Sequence, residues 1–253
     1  MGAVSCDYTG HPMSFQHGVA ACFSVAILST AVPVFGQAPS QSPKAPAPPP
    51  VEKIREGVYR ISTIEVDTLK KEARVAATVN GDVTTLEWVA NTKGGAKAYE
   101  SALTVDTNAT AFNAALLLLG LDPTHARVPT RHFDPNPPQG DPVEIWVEWS
   151  QGTTTRRVRI EQFLYDDRTK ATLPFGPWVY TGSTFTSGRY QADLDGVLIG
   201  FVHSPSPVIE NPRPGAVDAY GSITMNNRRL NVAAGQAVTL IVRSLGSAAK
   251  DRK

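Results

Sequence analysis

Thr84–Pro123 reads TTLEWVANTKGGAKAYESALTVDTNATAFNAALLLLGLDP, and the fold depends on how this stretch is parsed. Its second half predicts a helix over Asn108–Leu119, with the Thr107 hydroxyl capping the first turn. Phe112, Ala115, Leu116 and Leu119 fall on one face. Ala114, Leu117 and Leu118 make the second half apolar nearly all round, as in a helix buried on more than one side. Gly120 suits the left-handed position after the last turn, and Pro123 forbids continuation. The leucine run falls far short of the ~20 apolar residues a membrane span needs.

The first half predicts strands. Leu86, Trp88 and Ala90 alternate with Glu87, Val89 and Asn91, and Gly94-Gly95 supplies a tight turn. A two-residue loop there sets Trp88 opposite Ser101, with Glu87 and Glu100 as diagonal neighbours about 7–8 Å apart between backbones. Upstream, Leu69–Val79 also alternates, and Asn80-Gly81 is a strong hairpin signal. Its register sets Val75 opposite Leu86 and Arg74 opposite Glu87. Arg74, Glu87 and Glu100 would then share one face of a three-stranded meander.

The run LEWVANTKGGAKAYESALTVDTNATAFNAALLLLG resembles the core motif of the YdjY-type domain, a family of bacterial, mostly exported proteins. GPWVYTGS, Gly176–Ser183, resembles the family's second landmark. The resemblance extends from Val51 to about Leu245. It implies histidine at the positions of Tyr99 and Asn113, where this chain has none, and it brings no activity with it.

Outward from the core, residues 1–36 contain no Lys or Arg. Val19–Phe35 is apolar and ends at Gly36, which predicts a secretory signal cleaved before Gln37, with Met13 as an alternative start. An uncleaved anchor is the competing reading, but Pro33 and the interspersed hydroxyls count against it. Val19-Ala20-Ala21-Cys22 precedes the apolar run, where a lipoprotein box would follow one. Cys6 and Cys22 both fall in the removed segment, so the mature chain would have no disulfide, thiolate zinc site or cysteine nucleophile. Residues 37–50, rich in Pro and Ala, read as a disordered tether. Residues 51–246 read as one domain and 247–253 as a polar tail. From residue 37 on, 24 basic residues face 22 acidic ones, Asp7 being the one acid before it. That balance argues against a nucleic-acid partner or a membrane surface.

Leu121–Pro142 is a long Pro-rich loop carrying His125, His132 and Asp134, side chains that could bind metal or move protons. An ordinary polar surface loop is the simpler account, since no helical spacing or third histidine nearby supports a metal. Val143–Ser150 alternates and turns at Gln151-Gly152. The register sets Ile145 opposite Val158, Glu144 opposite Arg159, and Arg157 against Trp146 in a cation–π contact. Val58–Asp67 reads as the first strand and Val238–Arg243 as the last. Asp195-Gly196 reads as a further hairpin turn.

Together these elements predict an α+β domain: mostly antiparallel meanders and hairpins packed around one short buried helix at about 108–119. There is no Gly-rich phosphate loop, nucleophile elbow or zincin motif, and no cofactor is expected. Glu87 and Glu100 are the candidate acid–base pair, with Arg74 as charge partner, suited to a glycosidic bond. A solvated sheet face is the simpler account of the same residues. Trp178 is the aromatic candidate to line a binding pocket, with a core position as the simpler account. The expectation is a periplasmic or secreted, non-enzymatic binding module of the cell envelope, with a hydrolase as the alternative.

Overall fold

The computed structural model describes residues 49–81 and 83–247; the leader, most of the tether, Asp82 and the tail beyond 247 lie outside them. Strands dominate, and the helices are few and short. In chain order the elements begin with β1 (Val51–Arg55), β2 (Val58–Ile61), β3 (Ile64–Asp67) and β4 (Glu72–Val79). Then come β5 (Trp88–Thr92), β6 (Ser101–Val105), α1 (Ala109–Leu118), β7 (Asp141–Gln151), β8 (Thr154–Arg159) and α2 (Ile160–Phe163). Next are β9 (Leu164–Asp166), β10 (Ala171–Thr172), β11 (Trp178–Tyr180), β12 (Phe185–Thr186), β13 (Arg189–Tyr190) and α3 (Gln191–Asp195). The chain closes with β14 (Val197–Gly200), β15 (Ile209–Glu210), β16 (Ile223–Met225), α4 (Asn227–Leu230) and β17 (Ala237–Ser244).

The expected open meanders close into a barrel. Its eight strands run β4–β17–β7–β11–β15–β14–β5–β6, and β6 returns to β4. Closure removes the exposed edges that a meander of this length would carry. The barrel frays at two corners. β4 pairs with β3 through its first half and with β6 through its second. β7 does the same with β11 and β8. Inward side chains alternate along the wall: Val75, Ala77, Ile145, Val147, Leu240 and Val242 are all buried.

Both hairpins expected around the core motif are corrected. β5 and β6 are parallel, with Trp88 beside Ser101 and Ala90 beside Leu103. Gly94, at φ 79°, does make a tight turn, closed by the Gly95 amide donating to the Thr92 carbonyl at 3.0 Å, but the turn leads into a crossover; Gly95 serves a close approach. A Cβ on Gly95 would sit 2.9 Å from the Gly196 carbonyl oxygen, so side chains there would push β14 away. The intervening residues cross over through a turn of 3-10 helix at Ala98–Glu100. Asn80 does not turn β4 into β5 either. Its side-chain amide donates to the Ala98 and Ser101 carbonyls and accepts from the Thr104 hydroxyl, fastening β4 to β6. Val75 therefore pairs with Leu240 and Arg74 with Ile241 and Glu65, not with Leu86 and Glu87.

Elsewhere the corrections are smaller. The β7–β8 hairpin exists, but Gly152 occupies the first position of the turn, at φ 61°, which sets Val147 opposite Val158. The Arg157 guanidinium does lie over the Trp146 ring, 4.9 Å from its centroid. Val58–Asp67 folds back at Ser62 into two strands. Before Gly196 the chain is the short helix α3, which that glycine terminates at φ 68°.

The N-cap of α1 is Asn108, one residue later than expected, its side chain accepting from Ala111 N at 2.7 Å. Asp193 accepts from the Ala109 and Thr110 amides as well, placing a carboxylate at the positive end of the helix. Ala111, Phe112, Ala115 and Leu116 are buried against β2, β3 and β14, while Leu117 is exposed, so the helix is apolar nearly all round but buried on one side only. Among the described residues no helix is long and apolar enough to cross a membrane.

Candidate functional site

The parallel register of β5 and β6 is what assembles the site. Glu87 and Glu100 each immediately precede a paired residue, Trp88 and Ser101, so they stand side by side at the start of adjacent strands. The Glu87 amide donates to the Glu100 carbonyl at 3.0 Å, and the Glu87 carbonyl accepts from Phe201 and Val202. Glu87 is buried, at 4% exposure, and the two carboxyl groups share a hydrogen bond. Burial pushes the Glu100 carboxyl up, and the neighbouring Glu87 charge adds to this, with Lys97 pulling the other way. Glu100 thus holds its proton to higher pH than an exposed glutamate does.

Three further groups surround the pair. Lys97 Nζ lies 3.5 Å from Glu100 Oε2, and the charges of Glu100 and Glu87 hold the ammonium above its ordinary value despite burial. His132 Nε2 lies 2.8 Å from Glu87 Oε1. Burial together with the two carboxylates pushes the Tyr220 hydroxyl up as well. The loop from Leu121 to Pro142 therefore covers this face through His132. Phe133, at φ 55°, occupies the left-handed region that non-glycine residues rarely adopt. Its ring packs between His132 and Tyr220.

The loop is built to hold that position. The Asp134 carboxylate accepts from the backbone amides and side chains of Thr130 and Asn136, which depress it strongly. His203 Nδ1 lies 2.8 Å from the Asp134 carbonyl; a carbonyl only accepts, so Nδ1 carries the proton. The opposite wall rests on Glu210, whose carboxyl is wholly buried, pushed well up by that burial, and accepts from Ser204 N.

Above the pair opens a cleft of about 700 Å³. Its walls include Trp88, Lys97, Val128, Pro129, Thr130 and His132 on one side and Thr184, Gln191, Asp195, Val197, Ser204 and Ser206 on the other. Thr184 follows the second landmark directly. Gly182 and Ser183 are both left-handed, at φ 75° and 64°, and turn the chain so that the Ser183 and Thr184 hydroxyls donate to the Ser206 and Pro205 carbonyls. The two landmarks also meet in the interior, where the Tyr180 hydroxyl donates to Asn113 Oδ1 at 2.6 Å.

Of the residues singled out from sequence, Glu87, Glu100 and His132 come together. The others do not. Arg74 lies on the barrel's outer face and pairs with Glu148 and Glu72, because the register that set it against Glu87 does not form. Trp178 is fully buried, its indole N–H donating to Glu161, and lines no surface. Asp134 is consumed by its loop. His125 sits apart, 2.8 Å from Asp141 through Nδ1. Ser247 reaches the same nitrogen at 3.3 Å, so the three cannot relay a proton through opposite sides of the ring. Among the described residues no cluster of three or more His, Asp or Glu is arranged to hold a metal ion.

Sequence reasoning missed Lys97, Asp195, Ser204 and Ser206 as residues of the cleft. The signal for the serines was the Pro-rich run Ser204–Pro214, whose rigid turns suit a cleft wall as well as a surface loop.

A small β-barrel with a buried glutamate, Glu87, lining an open cleft is thus the class of molecule defined here. The family model of the YdjY domain matches residues 64–243, and the chain belongs to that family. No curated protein and no solved structure matches it.

Proposed function

We propose that this protein is exported to the periplasm or beyond and serves there as a non-enzymatic binding module of the cell envelope, its ligand seated in the cleft over Glu87 and Glu100. The observation that carries the reading is the cleft itself: the buried Glu87 and Trp88 and the half-buried Lys97 of the first landmark line it, together with Thr184, which directly follows the second. Its volume lies within the ~300–1,000 Å³ usual for small-molecule sites. Export rests on the apolar run Val19–Phe35 and the Pro-rich stretch after it.

Acid–base work on a glycosidic bond has less support. It needs carboxyl groups about 5–5.5 Å apart, or about 6.5–9.5 Å with a water between them. Here only Glu87 of the two lines the cleft, Glu100 standing beside it at the start of the neighbouring strand. A thermal-shift screen of the purified protein against envelope sugars, peptides and metal ions tests the binding reading. A stabilising hit abolished by Glu87→Gln is the expected result; hits unaffected by any cleft substitution would refute it. Mass spectrometry of the protein from cell fractions tests export. It should find Gln37 at the N-terminus outside the cytoplasm, and residues 13–36 retained on exported protein would sink the cleavage.

A further inference from the structure

We infer that the cleft takes a neutral, polyhydroxylated ligand of the carbohydrate class, an inference that rests on the binding reading above. The charged groups of the cleft already have polar partners. Lys97 stands 3.5 Å from Glu100 and His132 2.8 Å from Glu87. Across the cleft, Asp195 Oδ2 accepts from Gln191 Nε2 at 3.0 Å and from the Ser206 hydroxyl. A cationic ligand would compete with Lys97 and His132 for the carboxylates. An anionic one would face Glu87 and Asp195 together. A neutral ligand does neither.

What remains unmet is hydrogen bonding of mixed polarity. The indole N–H of Trp88, a donor only, is buried and has no partner among the described residues, which costs free energy until an acceptor reaches it. Glu87, which lines the same cleft, has accepting capacity beyond one partner. A sugar hydroxyl donates and accepts at once, so adjacent ring hydroxyls can take the indole proton and give their own to the carboxylate. Val128, Pro129, Val197 and Pro205 supply the apolar stretches of wall that C–H faces of a pyranose require.

The experiment is a set of four titrations of the full chain followed by amide and indole NMR: cellobiose, N,N′-diacetylchitobiose, spermidine and citrate. A neutral disaccharide should shift the Trp88 indole resonance and those of Thr184 and Ser206. Trp88→Phe keeps the ring's packing and removes the N–H, and should weaken that binding by about tenfold, one hydrogen bond's worth. Should Trp88→Phe not fold, the indole shift in the unaltered protein carries the test alone. If spermidine or citrate moves the cleft resonances and neither disaccharide does, the carbohydrate class is overturned while the binding site stands. If none of the four moves them, the inference and the binding reading fall together.

Discussion

Glu72 and Glu161, on the outward side of the barrel wall, are surrounded by arginines; Glu87 and Glu100, at the cleft, have each other, one lysine and one histidine. Glu72 accepts from Arg157 and Arg243, and Glu161 from Arg159, Arg213 and the Trp178 indole. Glu144 joins the two centres through Arg159 and Arg243. Burial alone would push Glu72 up, but its two arginines outweigh burial and leave it below the ordinary carboxylate range. In the cleft the balance reverses, and burial with a like charge pushes Glu100 up. Burial is common to both regions; the supply of guanidinium decides whether a carboxyl strengthens the fold or strains it. A fold gains nothing from a proton-sharing pair that an arginine would not do better, so the pair points to function and the network to stability.

The sharpest way to break that comparison is Glu161→Ala. Glu161 is fully buried, and removing it leaves Arg159 and Arg213 with a lost partner inside the protein. The expected cost is about 3–5 kcal/mol in urea unfolding. A loss below about 1 kcal/mol would show that the network does not hold the wall together.

Next comes Glu72→Gln. Its guanidinium partners are part-exposed, so water takes up some of the loss and about 1–2 kcal/mol is expected. The pH signature is more telling. A carboxyl depressed in the folded state adds stability that is fully present above its unfolded value, 4.5, and is lost as pH falls through the folded value. The unaltered protein should therefore lose stability in that acid window more steeply than the variant. Parallel slopes would mean that Glu72 contributes no linked protonation.

How far these two regions could be read from sequence differs for a physical reason. Alternation told which residues of β7, β8 and β17 point inward, and the β7–β8 hairpin was legible because its partners are adjacent in the chain. The Trp146–Arg157 stacking and the Glu144–Arg159 pair followed from it even with the register two residues off, since such a shift preserves faces. The cleft was legible only as a list of residues. Glu87 and Glu100 were named for the wrong reason, a hairpin that does not form. Local turn chemistry at Asn80-Gly81 and Gly94-Gly95 lost to long-range pairing of β4 with β6 and of β14 with β5, which no window of sequence displays. His132 reaches Glu87 across a gap of 45 residues, and the Ser204–Ser206 wall is further away still.

Arg74→Ala separates the observed register from the hairpin that its sequence suggested. Set beside Glu87 and Glu100 under the loop, Arg74 would be worth about 3–5 kcal/mol, because its loss would strand buried charge. In the structure it pairs with Glu148, the two side chains being 32% and 22% exposed, and lies away from the cleft. Its removal should cost about 1 kcal/mol or less in urea unfolding and leave ligand-induced thermal shifts unchanged.

The smallest expected effect has the opposite sign. Glu100 is pushed up in the folded state, so the stability linked to its proton is fully present below 4.5 and is lost as pH rises through the folded value. Glu100→Gln replaces the shared proton with a permanent amide N–H that can still donate to Glu87. It should therefore be as stable as the unaltered protein in mild acid and slightly more stable at neutral pH, the gap widening as pH rises. The gain in Tm should stay below the ~2–4 °C that 1 kcal/mol produces in a domain of this size, because Lys97 already offsets part of the repulsion. Tm measured across the pH range decides the sign. If the variant is instead less stable at neutral pH and the gap closes in acid, Lys97 and His132 hold both carboxylates ionised. The cleft would then be another charge-matched cluster like the one around Glu72, and the contrast that assigns function to one region and stability to the other would be lost.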